Sequence, residues 1–99
     1  MSNYHLMTPL MRASAIGNLG GVQEFLKDGF DVNARGPRNS TALMFAASGG
    51  HFDIVKELLL SGADPSLAED GGWTALKHAE EDGYGDIVSY LERTHYRRY

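Results

Sequence analysis

Residues 41–65 read TALMFAASGGHFDIVKELLLSGADP, and this stretch decides the fold. Thr41 is placed to cap a helix, because its hydroxyl can accept from a free N–H of the first turn. Leu43, Ala46 and Ala47 follow at helical spacing. Gly49 and Gly50 stop that helix. A second begins near Asp53, whose carboxylate suits the positive end of a helix dipole. It carries Ile54, Val55, Leu58 and Leu59 as one buried stripe. Gly62 closes it, and Ala63-Asp64-Pro65 leads into an extended segment. Helices of about nine residues do not persist alone in water. They need neighbours.

The neighbours are copies. Thr8-Pro9-Leu10, Thr41-Ala42-Leu43 and Thr74-Ala75-Leu76 recur 33 residues apart. Residues 8–33 match 41–66 at ten of 26 positions, and 41–58 match 74–91 at nine of 18. Unrelated segments of ordinary composition agree at roughly one position in fifteen. The chain is therefore an internal repeat of turn, short helix, tight loop and second helix. A period of this length marks a stacked array in which no unit buries its apolar face alone.

Ninety-nine residues suit one domain, 1–99, with repeats at about 4–35, 37–68 and 70–95 and a short basic tail over 93–99. The 42% apolar and 22% charged content is ordinary for a soluble globular protein. With no cysteine, a disulfide framework and a thiolate metal site are both excluded. No segment approaches the ~18 apolar residues of a membrane span. The opening MSNYHLMTP lacks the pattern of a signal peptide, so a cytoplasmic protein is expected. The net charge of −4 argues against generic nucleic-acid binding. Residues 64–92 hold eight acids (Asp64, Glu69, Asp70, Glu80, Glu81, Asp82, Asp86, Glu92) against Lys77 alone. Two readings stand: a solvated end of the array, or an acidic patch facing a basic partner.

TPLMRASAIG, TALMFAASGGHFDIVKELLLSGADP and TALKHAEEDGYGDIV resemble ankyrin repeats over nearly the whole chain. The resemblance implies an all-α solenoid of three helix-turn-helix repeats. Linking segments, here 30–40 and 63–73, would project as hairpin-like fingers. It also implies protein binding without catalysis. Met11, Met44 and Lys77 stand where the family pattern has histidine, so methionine packing is expected in place of histidine hydrogen bonds between fingers. Gly20-Gly21 opens the second helix of repeat one, where glycine costs up to ~1 kcal/mol per residue, less in the first turn. The first repeat is expected to be the loosest. Glu80 and Glu92 replace Ala47 and Leu59, giving the third repeat the polar outer face of an array that ends there. The tail RTHYRRY is expected to extend the last helix or fray.

Helix spacing groups the positions four, seven and eight after each threonine on one face. These are Arg12, Ala15 and Ile16, then Phe45, Ser48 and Gly49, then His78, Glu81 and Asp82. The resemblance places that stripe, with the finger tips, on the concave side where partners dock. The tips would be Tyr4, His5 and Met7, then Pro37, Arg38 and Ser40, then Asp70, Gly71 and Trp73. Phe45 and Trp73 stand out as aromatic interface anchors, with local packing against the next finger as the alternative for Trp73. Arg12 and Arg38 offer planar hydrogen bonding to a carboxylate, with simple solvation as the alternative. His51 follows Gly50 as in the family's GH pair and reads as structural, while His5 and His95 read as solvated ends.

Enzyme motifs are missing: no HExxH, GxSxG, GKS/T loop or strand-linked GxGxxG. His78 and Glu81 share an i, i+3 spacing, but structural zinc takes four ligands and catalytic zinc at least three, so no metal or cofactor is expected. Tyr96-Arg97-Arg98-Tyr99 mixes cations and aromatics as single-strand binders do, yet four residues on an acidic protein favour a disordered or partner-docking tail over nucleic acid. The sequence thus predicts a small stand-alone module, monomeric by itself, that binds another protein as adaptor or assembly factor. The alternatives are an inhibitor or immunity-type protein covering a basic or nucleic-acid-binding surface, and a self-associating structural subunit.

Overall fold

A computed structural model describes residues 6–96. Six α-helices follow in chain order: α1 (Pro9–Ile16), α2 (Leu19–Lys27), α3 (Ala42–Ser48), α4 (Phe52–Leu60), α5 (Ala75–Glu81) and α6 (Gly85–Tyr96). Each repeated threonine caps an inner helix. The amides of Met11, Met44 and Lys77 donate to Thr8, Thr41 and Thr74 at 3.1, 3.4 and 3.3 Å. Helices α1, α3 and α5 pack side by side as an inner layer, with α2, α4 and α6 behind them. The core between the layers holds Leu10, Leu43, Ala46 and Ala47 from the inner helices, and Ile54, Val55, Leu58, Ile87 and Leu91 from the outer ones. Met11 and Met44 are buried too, Met11 beside Gly36 of the first finger, filling space as the family resemblance implies.

The repeats lock by a ring laid on a glycine. Gly17 and Gly50 hold left-handed conformations, with φ of 81° and 74°. The rings of His51 and Tyr84, themselves 33 residues apart, cover them. A Cβ added at Gly17 would sit 2.7 Å from the His51 ring, and one at Gly50 2.5 Å from the Tyr84 ring. Nε2 of His51 also lies 3.1 Å from the Ala15 carbonyl of the previous repeat. The structural role expected of His51 is thus a bond between repeats.

The outer helices differ in what they bury. α4 buries Ile54, Val55 and Leu58, whereas α2 buries Val22 alone. Gly20 and Gly21 fall in the first turn of α2, where the Asn18 side chain caps the Gly21 amide at 3.0 Å. Glu80 and Glu92 are exposed on the third repeat. α6 runs to Tyr96, so the first part of the RTHYRRY tail extends the last helix; Arg97, Arg98 and Tyr99 lie outside the described residues.

Both fingers close with the same turn. Gly36 donates to the Ser40 carbonyl at 2.8 Å, and Glu69, one period later, to the Trp73 carbonyl at 2.9 Å. The hairpin character is slight. Among the described residues it amounts to one antiparallel bridge, Ala68 to Thr74, and the first finger turns through a short 3-10 segment, Pro37–Asn39. Polar bonds join finger to finger. Asn33 donates to the Gly62 carbonyl at 3.1 Å and accepts from the Asp64 amide at 2.9 Å. Arg35 reaches the Ala68 carbonyl at 2.9 Å. Asp70 takes part twice: its amide donates to the Arg38 carbonyl at 2.8 Å and its carboxylate accepts from the Asn39 side chain at 3.0 Å.

Candidate partner-binding face

The inner helices leave one side uncovered by the outer layer, and the fingers wall it. On this face Arg12 and Ile16 of α1 are exposed, Phe45 and Ser48 of α3 are half-buried, His78 of α5 is half-buried, and Glu81 and Asp82 are exposed. Between the first finger, α3 and α5 lies a cavity of about 250 Å³ lined by Pro37, Arg38, Ser40, Met44, Phe45, Ser48, Glu69 and His78. It gathers Phe45, Ser48 and His78 of the stripe aligned by spacing, and Pro37, Arg38 and Ser40 of the finger tip that the resemblance implies. A second cavity of about 230 Å³ adjoins it, lined by Arg38, Glu69, Asp70, Gly71, Trp73 and His78.

Glu69 stands between the two. Its carboxylate accepts from Arg38 Nη2 at 3.1 Å and lies 2.8 Å from Nε2 of His78. The Glu69 side chain is 9% exposed and that of Arg38 75% exposed. A pair with so exposed a cation is screened and contributes at most about 1 kcal/mol. Its effect is to orient Arg38 and His78 rather than to hold the fold. The Trp73 ring meets His78 edge-on at 5.0 Å, and Lys77 Nζ sits 5.7 Å above Trp73. On the far rim the Ser48 hydroxyl donates to Asp82 at 3.1 Å, and Lys77 pairs with Glu81 at 3.2 Å.

Several expected positions need correction. Ser40 is not an exposed finger tip: it is 6% exposed, and its hydroxyl has no partner among the described residues. Arg38 and Asn39, in the turn Pro37–Asn39, are the exposed tip residues in its place. Met7 is half-buried against the core, because its side chain completes the packing of the first repeat. Trp73 packs edge-on against His78 of α5 rather than against a neighbouring finger, and it lines the second cavity. Arg12, Ile16 and Glu81 share the face but do not line either cavity. Tyr4 and His5 lie outside the described residues. His78 and Glu81 turn to different partners, Glu69 and Lys77. Sequence reasoning missed Glu69 as a site residue. A signal existed, since Glu69 stands where the previous copy has Gly36.

The family model for ankyrin repeats, in three copies, matches residues 10–96. The chain belongs to the ankyrin-repeat family. No curated protein matches it as a relative. Ankyrin repeats generally mediate protein–protein interaction and form a non-catalytic module. In this ankyrin array both cavities are lined by residues of the fingers and the inner helices, on the face that the family resemblance makes the concave one. Among the described residues, no helix is long and apolar enough to cross a membrane.

Proposed function

We propose that this ankyrin protein is a cytoplasmic binding module, acting as adaptor or assembly factor, that holds one other protein on its concave face. The observation that carries this reading is Phe45, an aromatic left half-buried in a cavity walled by a finger and two helices. Aromatic and arginine side chains dominate binding hot spots when a partner completes their burial. Arg38 and Trp73 flank Phe45 in the adjoining walls. Arg12, Ile16, Glu81 and Asp82 extend the same face outward and supply a rim.

A second reading, an inhibitor covering a basic surface, draws on charge. Arg38 and Lys77 engage Glu69 and Glu81. Asp70, Glu80, Asp82, Asp86 and Glu92 make no ion pair among the described residues. Such a field speeds encounter with a cationic partner and weakens as salt rises.

Affinity capture from native lysate tests the concave-face reading. The Phe45→Asp variant is expected to lose the captured protein at least tenfold, and Leu60→Asp on the outer layer to retain it. Undiminished capture by Phe45→Asp contradicts the reading. Reversing Glu81 and Asp82 to lysine separates the two roles: capture is expected to fall only slightly where they form a rim, and to be lost where their charge drives binding. Light scattering with a mass independent of concentration supports a monomer over a self-associating subunit.

A further inference from the structure

We propose that Glu69 and His78 form a proton switch in the wall between the two cavities: charging the His78 imidazole neutralises Glu69 and releases the Arg38 side chain. The switch goes beyond the concave-face reading, and only its consequence for docking rests on that reading. Both residues line both cavities. Histidine is the side chain whose charge ordinarily changes between pH 5 and 8. Nε2 of His78 lies 2.8 Å from Oε1 of Glu69, and Nη2 of Arg38 donates to the other oxygen, Oε2, at 3.1 Å. One carboxylate thus serves two partners that differ in depth. The side chains of His78 and Glu69 are 18% and 9% exposed, that of Arg38 75%.

With a neutral imidazole, the full charge of Glu69 is available to Arg38. With an imidazolium, Glu69 is balanced by the more deeply buried of its neighbours, where water screens the attraction less. Arg38 then faces a neutral pair whose positive member repels it, and its exposed, screened bond is the one that fails. Among the described residues, no other hydrogen bond or ion pair holds this guanidinium. The turn itself stays, because the Asp70 amide still donates to the Arg38 carbonyl and Asn39 to the Asp70 carboxylate. The remaining charges near the imidazole have partners of their own. Asp70 accepts from Asn39, Lys77 pairs with Glu81, and Asp82 accepts from Ser48. Among the described residues, no charged group of α3 or α6 lines either cavity. Acid therefore adds a positive charge to the face and unfixes the guanidinium that borders both cavities. A face bordered by Asp70 and Asp82 suits a basic partner, and that match weakens.

Trp73 reads the switch directly, being the chain's single tryptophan with its ring edge-on to His78 at 5.0 Å. An imidazolium quenches indole emission more than a neutral imidazole does. In the full chain, emission is expected to fall through one transition from pH 8 to pH 5, and in His78→Gln to stay level. Level emission in the unaltered chain overturns the proposal, as does a fall that survives His78→Gln. Should that variant not fold, the His78 ring-proton shifts of the unaltered chain take its place, and a midpoint unlike that of Trp73 overturns the proposal. Carbon-13 relaxation at Arg38 Cδ is expected to show the side chain ordered at pH 8 and mobile at pH 5, and mobile at both in Glu69→Gln. Equal order at both pH values in the unaltered chain overturns the release. Capture of the partner is expected to be several-fold weaker at pH 5.5 than at pH 7.5, and in His78→Gln to lose that difference. A difference that is the same in both chains overturns the consequence for docking. If Phe45→Asp keeps the partner while Trp73 and Arg38 respond to pH, the concave-face reading falls and the switch stands.

Discussion

The two finger tips hold the same backbone turn with opposite residues. At the first tip Arg38 and Asn39 stand at φ of 53° and 64°; one period later Gly71 and Gly72 stand at 93° and 91°. The left-handed region is natural for glycine and costs an L side chain roughly 1–2 kcal/mol, less for asparagine. The first finger keeps side chains there because they have somewhere to go. Arg38 reaches Glu69 and Asn39 reaches Asp70. A Cβ at Gly71 or Gly72 would meet nothing within 4 Å. Side chains are thus retained against backbone strain at the tip that borders both cavities. A parallel contrast runs behind the fingers, where α4 buries three residues and α2 one.

These contrasts break or sharpen through stability measurements by urea denaturation. The largest effect is expected from Leu58→Ala, which opens a cavity in the best-packed outer helix and should lower stability by about 2–5 kcal/mol. A loss below that range would mean that α4 is no better anchored than α2. Gly71→Ala should cost about 1 kcal/mol, since it meets open space and only the backbone term remains. A negligible cost would undo the claim that the second tip requires glycine. Gly20→Ala should raise stability by up to about 1 kcal/mol, because its Cβ has room and α2 gains helix propensity. The same change at Gly21 should give no gain, because its Cβ would sit 2.5 Å from the capping Asn18 side chain. Arg38→Gly is expected to move stability by less than about 1 kcal/mol, relief of strain offsetting a screened ion pair. Yet it should weaken partner capture several-fold. A large stability loss with capture intact would make Arg38 scaffold.

Much of the fold was legible because it repeats. The threonine caps, the glycines under His51 and Tyr84, and the paired aliphatic residues of α4 recur in register, and each has a local physical cause. The face was legible too, since helix spacing alone aligns Phe45, Ser48 and His78. Depth was not. The resemblance assigns Ser40 to a finger tip but cannot show that Arg38 and Asn39 form the exposed tip and that the Ser40 hydroxyl is buried. Glu69 escaped for a related reason. Its partners Arg38 and His78 lie 31 and 9 residues away, so the bonds run diagonally across the 33-residue period. A search for matching positions overlooks such a link.

Site-specific photo-crosslinking tests the central claim, that the concave face around Phe45 is where another protein docks. A benzoylphenylalanine placed at position 45 is expected to capture the partner covalently in lysate. The same group at position 60, where Leu60 is 81% exposed on the outer layer, is expected to capture none. Adducts at position 60 with none at position 45 would contradict the account.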